Sequence, residues 1–415
     1  MYETGELLDV EAGAPAHGGF CIARAEDGRV VLLRHALPGE QVRARVSEDR
    51  GGSFLRADAV EVLRASADRV EPPCPHAGPG RCGGCDWQHA AGQAQRAIKQ
   101  AVVRDQFARL AGLELPPDFH VEALSDALLG WRTRVTYAAT RQGELGLHRH
   151  RSHEIEPVEA CPLGLPGVGD SDLLARRWVG LTGVEVVRDS SEQIAVVGHR
   201  PGPGRQARGR RPPDRVELLS GPDRVSFEVL GRTFTVDPAG FWQVHPQALA
   251  AFVGALLDAA APRPGERVLD LYAGAGALTA FLAERVGPTG RVVGVESAPG
   301  PVRDAAGNLA ELPWAEVRRA RLDVNSVPAL AALGAEVAPD VIVLDPPRAG
   351  AGKPIMQTLC AMPARVIAYV ACDPAALARD AAVALAEGWQ LARIRGFDAF
   401  PMTHHVECVA TFARD

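Results

Sequence analysis

From residue 264 to the end, the chain alternates short apolar runs with alanine-rich stretches, and this alternation constrains its fold more than any other feature. The apolar runs are rich in β-formers, whereas the stretches between the earlier runs have helical composition. Strands that alternate with helices form parallel sheets covered by helices on both faces. The pattern therefore predicts a doubly wound, mainly parallel α/β sheet. The runs are RVLDLYAG, RVVGVES, DVIVLDPP, RVIAYVAC, QLARIRGF and ECVATFA.

Three of these runs end in residues that can carry chemistry. RVLDLYAGAG supplies Asp270 and a glycine-rich turn, VIVLDPPRAG supplies Asp345 and Arg348, and RVIAYVAC ends in the thiol of Cys372. Ligands of open α/β sheets bind at the carboxyl ends of the strands. The three ends suggest a nucleotide-type cofactor beside a nucleophile. A buried core cysteine is the alternative interpretation of Cys372, and the local pattern leaves both open.

The glycine-rich turn indicates which cofactor this is. Gly274 and Gly276 let the backbone approach a ligand closely. Glu296 ends the next apolar run, 20 residues after Gly276, where an acid can bind ribose hydroxyls. An NAD fingerprint would continue with G-x-x-G, but the letters ALT follow. The pattern looks like the class I fold that binds S-adenosylmethionine, in which Asp323, after the next predicted strand, could contact the adenine.

A thiol beside a methyl donor is suited to methylation of a carbon atom. Amines and hydroxyls accept a methyl group without covalent help, whereas a pyrimidine carbon does not. A thiolate that adds to C6 of uracil makes C5 able to attack a methylsulfonium, and a base must then remove the C5 proton. Glu407, at the start of the last run, is the best candidate base. An exposed charge at a strand start is the alternative for this residue.

The composition is that of a cytoplasmic protein that contacts nucleic acid only locally. A chain of 415 residues is long enough for two or three domains, and its net charge of -6 provides no overall basic field. No run approaches 18 consecutive apolar residues, and the acidic N-terminus has no secretory signal. We therefore expect no membrane span. Eight cysteines are too few for a disulfide framework and indicate metal ligands or catalysts.

Residues 1–63 contain short apolar runs separated by glycine turns, which predicts a small β-barrel. The segment GGFCIARAEDGRVVLLRHALPGEQVRARV resembles the TRAM domain, an RNA-binding barrel of RNA-modifying enzymes. Residues 1–63 contain 7 arginines against 11 acids, so no broad electrostatic contact with phosphate is expected. A module that only packs on its neighbour is the alternative.

The following segment, CPHAGPGRCGGCDWQH, places three cysteines at the spacing C-x7-C-x2-C, and a fourth follows in EACPLG. Such a set could form a four-thiolate site, and both zinc and iron–sulfur centres use four thiolates. Zinc ribbons usually have two C-x2-C pairs, whereas this chain has one, and spacing alone does not choose between the metals. Four unrelated reduced thiols are the remaining alternative.

Residues 70–230 are predicted to form a central, mixed β-rich module. Residues 93–113 have helical periodicity, and this helix could pack on the C-terminal domain. Residues 131–156 alternate like strands around a turn at Gly143 and gather arginines and histidines, for which a solvated basic strand or an RNA face is preferred over a metal site. The Pro/Gly-rich residues 200–215 are predicted to form a mobile loop.

Over its whole length the chain resembles the RNA uracil-5-methyltransferase family. The shared motifs are CPHAGPGRCGGCDWQH, RSHEI with CPLG, FWQVHP, LDLYAGAG, VLDPPRAG, YVACDPAALARD and HHVEC. The resemblance implies a methyltransferase domain at 231–415, S-adenosyl-L-methionine as methyl donor and a [4Fe-4S] cluster. It also implies a structured RNA substrate with a flipped-out uridine, methylated at C5 through a Cys372–C6 adduct. No obligate protein partner is evident.

The same resemblance implies roles for individual residues. Cys372 is the nucleophile and Glu407 the proton acceptor. The cluster ligands are Cys74, Cys82, Cys85 and Cys161. The residues assigned to the methyl donor and its surroundings are Gln243, Tyr272, Gly274, Gly276, Glu296, Asp323 and Asp345.

Several positions depart from the family pattern. The usual S-C-N-P at the nucleophile is A-C-D-P here, and an ionised Asp373 would raise the pKa of the thiol. The Asn after the glycine turn is Ala277, and the Asn of Q-V-N is His245. These changes keep open a non-catalytic RNA-binding protein, and D-P-P keeps open an amine-directed methyltransferase. The sequence does not choose between transfer and ribosomal RNA.

Overall fold

The first 64 residues fold into a six-stranded sheet with the order β1-β5-β6-β4-β3-β2. All its pairs are antiparallel except β4 with β6. Alternate residues face a core that also receives Trp87 and Ile98 from the following segment. Among the described residues β1 and β2 are edge strands, so the predicted barrel is an open, curled sheet. Its strands are β1 (Leu7–Glu11), β2 (Pro15–Ala16), β3 (Phe20–Arg24), β4 (Val30–Arg34), β5 (Gln41–Glu48) and β6 (Phe54–Arg64).

The middle of the chain contains one long helix and a second six-stranded sheet. The computed structural model describes residues 1–170, 172–202 and 214–414, so most of the predicted 200–215 loop lies outside the described residues. The second sheet is antiparallel, with the order β10-β9-β8-β11-β12-β13. The elements are α1 (Gly92–Gln106), β7 (Val121–Ala123), β8 (Arg134–Ala139), β9 (Leu145–His148), β10 (Ile155–Pro157), β11 (Gly183–Arg188), β12 (Ile194–Arg200), β13 (Arg215–Ser220) and the hairpin β14 (Val225–Val229) and β15 (Arg232–Val236).

The C-terminal part forms an eight-stranded sheet with the order β18-β17-β16-β19-β20-β22-β21-β7. The first five strands are parallel, which confirms the predicted sheet, whereas β22 runs antiparallel to both its neighbours. The elements are α2 (Ala248–Ala260), β16 (Arg267–Leu271), α3 (Ala277–Val286), β17 (Arg291–Glu296), α4 (Pro299–Asn308), β18 (Ala315–Arg319), α5 (Val327–Val337), β19 (Val341–Leu344), α6 (Lys353–Cys360), β20 (Val366–Ala371), α7 (Pro374–Ala386), β21 (Gln390–Asp398) and β22 (Glu407–Ala413).

Helices cover both faces of this large sheet. Apolar side chains of α2, α3 and α4 pack on one face, and those of α5, α6 and α7 pack on the other. None of the helices in the described part of the chain has the length and apolarity that a bilayer crossing requires. The parallel strands therefore lead to one edge, the C-terminal edge of β16, β17, β19 and β20, where their loops meet.

The segment around α1 joins the large sheet although it lies far from it in sequence. The predicted helix continues as a π-helical turn, Phe107–Ala111, and ends at Gly112, which adopts a positive φ of 62°. Val103 and Phe107 lie in the core of the large sheet, and β7 extends its edge beside β21. Residues of the central module thus complete the core of the C-terminal unit.

A buried ion pair fixes α1 on the large sheet. The ammonium of Lys99 donates to Asp398 Oδ1 at 2.6 Å and to the carbonyl of Phe400 at 2.9 Å. Burial lowers the pKa of Lys99, and the attraction of Asp398 opposes that shift. Because both side chains are almost fully buried, neither charge has water as an alternative partner.

We expect Lys99→Met to destabilise the protein by about 3–5 kcal/mol, because it leaves Asp398 buried and unpaired. The chain has one other lysine, the exposed Lys353, and Lys353→Met should change the unfolding free energy by less than about 0.5 kcal/mol. Urea denaturation followed by circular dichroism measures both. Equal midpoints for the two variants would contradict the role of the pair.

Candidate active site

Cys372 lies at the junction of a buried strand and a capped helix. All residues of β20 are buried, and Cys372 follows its last residue. Asp373 then caps α7, since its Oδ1 accepts the backbone N–H of Ala376 at 2.8 Å, and Pro374 occupies the first turn. The other carboxylate oxygen of Asp373, Oδ2, lies 3.1 Å from Nε2 of His17, in the loop between β2 and β3. The strand end and the cap together fix the position of the thiol.

Glu407 lies beside this thiol because of the antiparallel strand β22. Cys408 pairs with Ala371 in the ladder, so the next position of each strand brings Glu407 next to Cys372. Glu407 is only 3% exposed. Burial raises its pKa well above the ordinary value, Asp345 raises it further, and Arg348 opposes both. The buried surroundings of Glu407 therefore favour its uncharged, protonated form over the carboxylate.

The same neighbours control the thiol of Cys372. Burial raises its pKa to about 12, with further contributions from Glu407 and Asp345, while Arg348 lowers it. Asp373 also raises the pKa of Cys372, in the predicted direction, but it is the smallest of these influences. The thiol, the two acids and the arginine thus form one electrostatic unit, which the sequence placed on three separate runs.

The ends of β16 and β19 supply a pair of buried acids, Asp270 and Asp345. Burial raises the pKa of both Asp270 and Asp345 to about 7, and the charge of Asp270 adds to the shift at Asp345. Thr279 donates to Oδ2 of Asp270 at 2.5 Å, whereas Oδ1 has no hydrogen-bond partner among the described residues. Buried acids with raised pKa values and an unsatisfied oxygen fit a cationic ligand such as a sulfonium.

The glycine turn and its acid form the neighbouring part of the edge. Glu296 accepts the N–H of Gly274 at 3.2 Å and that of Ala298 at 2.7 Å. Gly274 and Gly276 both have positive φ, which explains the need for glycine. Glu296 therefore stabilises the conformation of the turn, and its two backbone partners orient the carboxylate.

Of the remaining predicted cofactor residues, Tyr272 and Asp323 lie near the glycine turn, whereas Gln243 is not hydrogen-bonded to the other predicted site residues among those described. Tyr272 has a φ of 63°, and Asp323 contributes to the raised pKa of its phenol, about 12, although burial is the main cause. Asp323 caps a short 3-10 turn through the N–H of Asn325. Gln243 is half-buried on the loop before α2, and within the described chain no hydrogen bond links it to the other predicted site residues. Tyr272 and Asp323 are neighbours of the glycine turn.

A chain of polar contacts, which the sequence did not reveal, leads from Arg348 away from the thiol. Nη2 of Arg348 lies 3.2 Å from Nε2 of His405. Because arginine only donates, this histidine nitrogen must accept, and burial lowers the pKa of His405 to about 3, which keeps the ring neutral. The ring of His404 lies 4.1 Å from that of His405, and its Nδ1 bonds Asp86 Oδ2 at 2.7 Å.

Asp86 is the buried end of this chain of contacts. It accepts the backbone N–H of His404 at 3.0 Å, and Arg34 of β4 donates to its Oδ1 at 3.3 Å. Burial alone would raise its pKa, but His404 and Arg34 hold the pKa well below its usual range. The sequence analysis gave Asp86 no role, although it lies directly after Cys85 within the motif CPHAGPGRCGGCDWQH.

The four predicted metal-ligand cysteines lie in one neighbourhood, and all eight cysteines of the chain are free. Burial raises the pKa of Cys74, Cys82 and Cys85, and Cys161 adds to the shift at each of the three. Gly83 donates to the carbonyl of His148 at 2.9 Å, which docks the cysteine loop on β9. Within the described ranges, however, no three His, Cys, Asp or Glu side chains are grouped as a single metal ion requires.

Comparisons with known proteins agree with this geometry. The family model described as tRNA (Uracil-5-)-methyltransferase matches residues 256–414, and the TRAM domain model matches residues 3–60. The chain is 45% identical to an uncharacterized RNA methyltransferase of Streptomyces avermitilis, with 98% of each chain covered. It is 35% identical to a 23S rRNA (uracil(1939)-C(5))-methyltransferase RlmD of Halomonas elongata, with 94% of this chain and 86% of the relative covered.

A solved structure shows the same fold. The crystal structure of Pyrococcus abyssi tRNA (uracil-54, C5)-methyltransferase in complex with S-adenosyl-L-homocysteine aligns with a TM-score of 0.69, covering 97% of this chain and 100% of that chain. Its sequence identity is 20%, so the similarity concerns the fold.

We expect the thiol of Cys372 to be unreactive in the ligand-free protein. With a pKa of about 12, its alkylation by iodoacetamide at pH 8 should be slower than in the urea-unfolded chain by on the order of 10³-fold. In the folded protein the alkylation rate of Cys372 should still rise tenfold per pH unit up to pH ~10. Mass spectrometry of the Cys372 peptide measures this rate. An alkylation rate that levels off near pH ~9.5, as in the unfolded control, would contradict the raised pKa.

Proposed function

The chain belongs to the RNA uracil-5-methyltransferase family, and we propose that it methylates its uridine through a covalent bond between Cys372 and C6 of the base. The family membership establishes an S-adenosylmethionine-dependent RNA methyltransferase. The observation that carries the covalent mechanism is the position of Glu407 directly beside Cys372, across the ladder of β20 and β22. A nucleophile and a proton acceptor are then both available to act on one uracil ring.

The proposed reaction uses both groups in sequence. The Cys372 thiolate bonds to C6, and the electron pair of the C5–C6 bond moves toward the C4 carbonyl oxygen. S-adenosylmethionine, when bound, supplies the methyl group that C5 attacks and leaves as a neutral thioether. The Glu407 carboxylate removes the C5 proton, the C5–C6 double bond re-forms and the C6–S bond breaks. The enzyme is returned with a free thiolate and a protonated Glu407.

The resting protonation of the site explains how the reaction would be coupled to donor binding. In the ligand-free protein, burial favours the protonated forms of both Glu407 and Cys372. A positive charge close to these groups lowers the pKa of each, because it favours the ionised form. Arg348 already acts in this direction on both. Residues Gln243, Tyr272, Gly274, Gly276, Glu296, Asp323 and Asp345 remain our assignment for the donor site.

We propose ribosomal RNA as the substrate. The relative that is 35% identical over most of both chains is named for uracil 1939 of 23S rRNA, whereas the tRNA enzyme shares only 20% identity.

We further propose that the target uridine is flipped out of its stack, because the thiol is half-buried and C6 of a stacked base would not reach it. The amine-directed alternative gives no role to the paired Cys372 and Glu407.

We propose that Cys74, Cys82, Cys85 and Cys161 hold a [4Fe-4S] cluster. The support is the chemistry of the donor set, four free thiols in one neighbourhood, with Gln88 donating to Cys85 Sγ at 3.2 Å. Among the described residues these side chains are not grouped as around a single ion. The proposal of a cluster therefore rests on the chemistry of the donor set and on the family resemblance.

A 5-fluorouridine RNA should trap the covalent intermediate. Fluorine at C5 cannot be removed as a proton, so with methyl donor present an RNA–protein adduct should accumulate and be visible by denaturing electrophoresis. Cys372→Ala should abolish the adduct. Cys408→Ala is the matched control, since this thiol is next to Glu407 but lies in the core of the other face, and it should retain the adduct.

Glu407→Gln should form the adduct with ordinary uridine RNA and lower turnover by about 10²–10⁴-fold, because the C5 proton has no acceptor. Methylation that survives in Cys372→Ala would contradict the covalent mechanism and favour amine methylation. RNA binding without methylation of any cellular RNA would favour a non-catalytic protein.

The cysteine site should contain iron and sulfide. Protein purified without oxygen should be brown, with about four iron and four sulfide per chain, and oxidation should bleach it. Cys82→Ser should lose the colour, whereas Cys360→Ser, in the core of the large sheet, should keep it. One zinc per chain in colourless protein would contradict the proposal.

A further inference from the structure

A short hairpin loop of the N-terminal sheet reaches the nucleophile of the C-terminal sheet. Ala16 of β2 pairs with Phe20 of β3 in the ladder. The loop between these strands therefore consists of His17, Gly18 and Gly19, and we name it the β2–β3 turn. Both glycines have a positive φ, of 95° and 81°, which closes a loop of only three residues. Its length leaves the backbone little freedom once the strands are paired.

The β2–β3 turn is held against the loop that leads into β22. A β-carbon at Gly19 would lie 2.9 Å from the carboxylate carbon of Asp86, so the backbone of the turn rests directly on that side chain. The ring of His17 meets the ring of His404 edge-on, with centroids 6.2 Å apart and planes at 88°. Nδ1 of His404 is itself bonded to Asp86. These contacts fix the direction in which the ring of His17 extends.

The ring of His17 also contacts Asp373, the residue that follows the nucleophile. Nε2 of His17 lies 3.1 Å from Oδ2 of Asp373, and the two side chains are 35% and 21% exposed. Burial would raise the pKa of Asp373, but His17 and the N–H of Ala376 hold it below its ordinary value. An ionised carboxylate only accepts hydrogen bonds, so the Nε2 that faces it must carry a proton. One oxygen of Asp373 thus contacts α7, and the other contacts the N-terminal sheet.

The negative charge at position 373 gives this contact a purpose. Asparagine would cap α7 about equally well and would carry no charge. Burial is the main cause of the raised pKa of the Cys372 thiol, and the charge of Asp373 adds to it. A protonated nitrogen on the outer oxygen draws charge away from the thiol and leaves the inner oxygen on the helix. His17 supplies this nitrogen from a separate sheet.

We propose that His17 is a positioning residue of the methyl-transfer reaction, which holds Asp373 so that the cap of α7 and the thiol of Cys372 keep the geometry for addition to C6. The proposal rests on the proposed function, because the addition to C6 belongs to that mechanism. His17 acts through Asp373 and is not itself a catalytic group. The N-terminal sheet thereby takes part in forming the reactive geometry of the C-terminal sheet.

A double-mutant cycle on His17 and Asp373 tests this role. The rate of adduct formation is measured in single turnover with saturating 5-fluorouridine RNA and saturating methyl donor. His17→Ala should slow it about 10-fold, because an unpaired carboxylate and a misplaced thiol both disfavour addition. In the Asp373→Asn background the same change should cost less than about 2-fold, because the amide has no charge to be held. Losses of equal size in both backgrounds would overturn the proposal.

Two further variants separate the proton donor from the bulk of the ring. His17→Gln keeps an N–H group that can face Asp373, so it should restore most of the rate that His17→Ala loses. His120→Ala is the matched control, since His120 is exposed and its ring contacts the carbonyl of Asp118 in its own loop. This control should leave the rate unchanged. A His17→Gln rate as low as that of His17→Ala would overturn the role of the donor.

Alkylation of Cys372 in the ligand-free protein is a readout that loss of packing alone would not lower. His17→Ala should slow alkylation at pH 8 about threefold, since half a pKa unit changes the thiolate fraction by that factor. Added to Asp373→Asn, it should have no effect. An unchanged or faster rate in His17→Ala would overturn the proposal. The charged groups that act on this thiol are Glu407, Asp345, Arg348 and Asp373.

Failure of this proposal can be told from failure of the proposed function. Alkylation needs neither RNA nor methyl donor, so it reports on the pair of His17 and Asp373 even where no adduct forms. Absence of the adduct in wild type would reject the covalent mechanism. Where wild type does form the adduct, a His17→Ala variant that reacts at the wild-type rate, or loses only affinity for RNA, would reject the role of His17 alone.

Discussion

The carboxylate of Asp86 is the interaction that joins the N-terminal sheet to the large C-terminal sheet. It is buried and charged, so it must be paired, and its partners come from different parts of the chain: Arg34 from the N-terminal sheet and His404 from the loop before β22. It also directly follows Cys85 of the cysteine loop. Through His404 and His405 the same contacts reach Arg348, which acts on the thiol and on Glu407. One buried charge thus links the position of the cysteine loop to the position of the reacting groups.

Burial, reinforced by the neighbouring acids, keeps the thiol of the free site protonated. Asp270, Asp345, Glu407 and Cys372 all have raised pKa values because they are buried together with little positive charge. A thiol in this state resists oxidation and alkylation. Reactivity then depends on positive charge brought to the site, so a cationic donor would both supply the methyl group and help to ionise the groups that use it.

Two departures from the family motif, Asp373 and His245, are stabilised by contacts with their immediate neighbours. Asp373 replaces asparagine at a helix cap, where the two residues are about equally favourable, and its second oxygen pairs with His17. His245 stacks on Trp131 at 5.7 Å, and burial lowers its pKa to about 4, so it is a neutral packing residue. Neither change removes a group from the thiol and acid pair.

The sequence by itself determined the parallel sheet and the placement of Asp270, Asp345 and Cys372 at its edge, because strand periodicity and strand ends are local properties. Its position at the start of the last run made Glu407 a candidate base, but only the family resemblance favoured that role over an exposed charge. Only the tertiary structure decided that β22 runs antiparallel beside β20, that Asp86 joins the N-terminal sheet to the large sheet, and that the N-terminal sheet stays open. It also brought His17 of the N-terminal sheet to Asp373 beside the thiol. These features depend on contacts between residues far apart in the chain, and composition or spacing along one segment carries no information about such contacts.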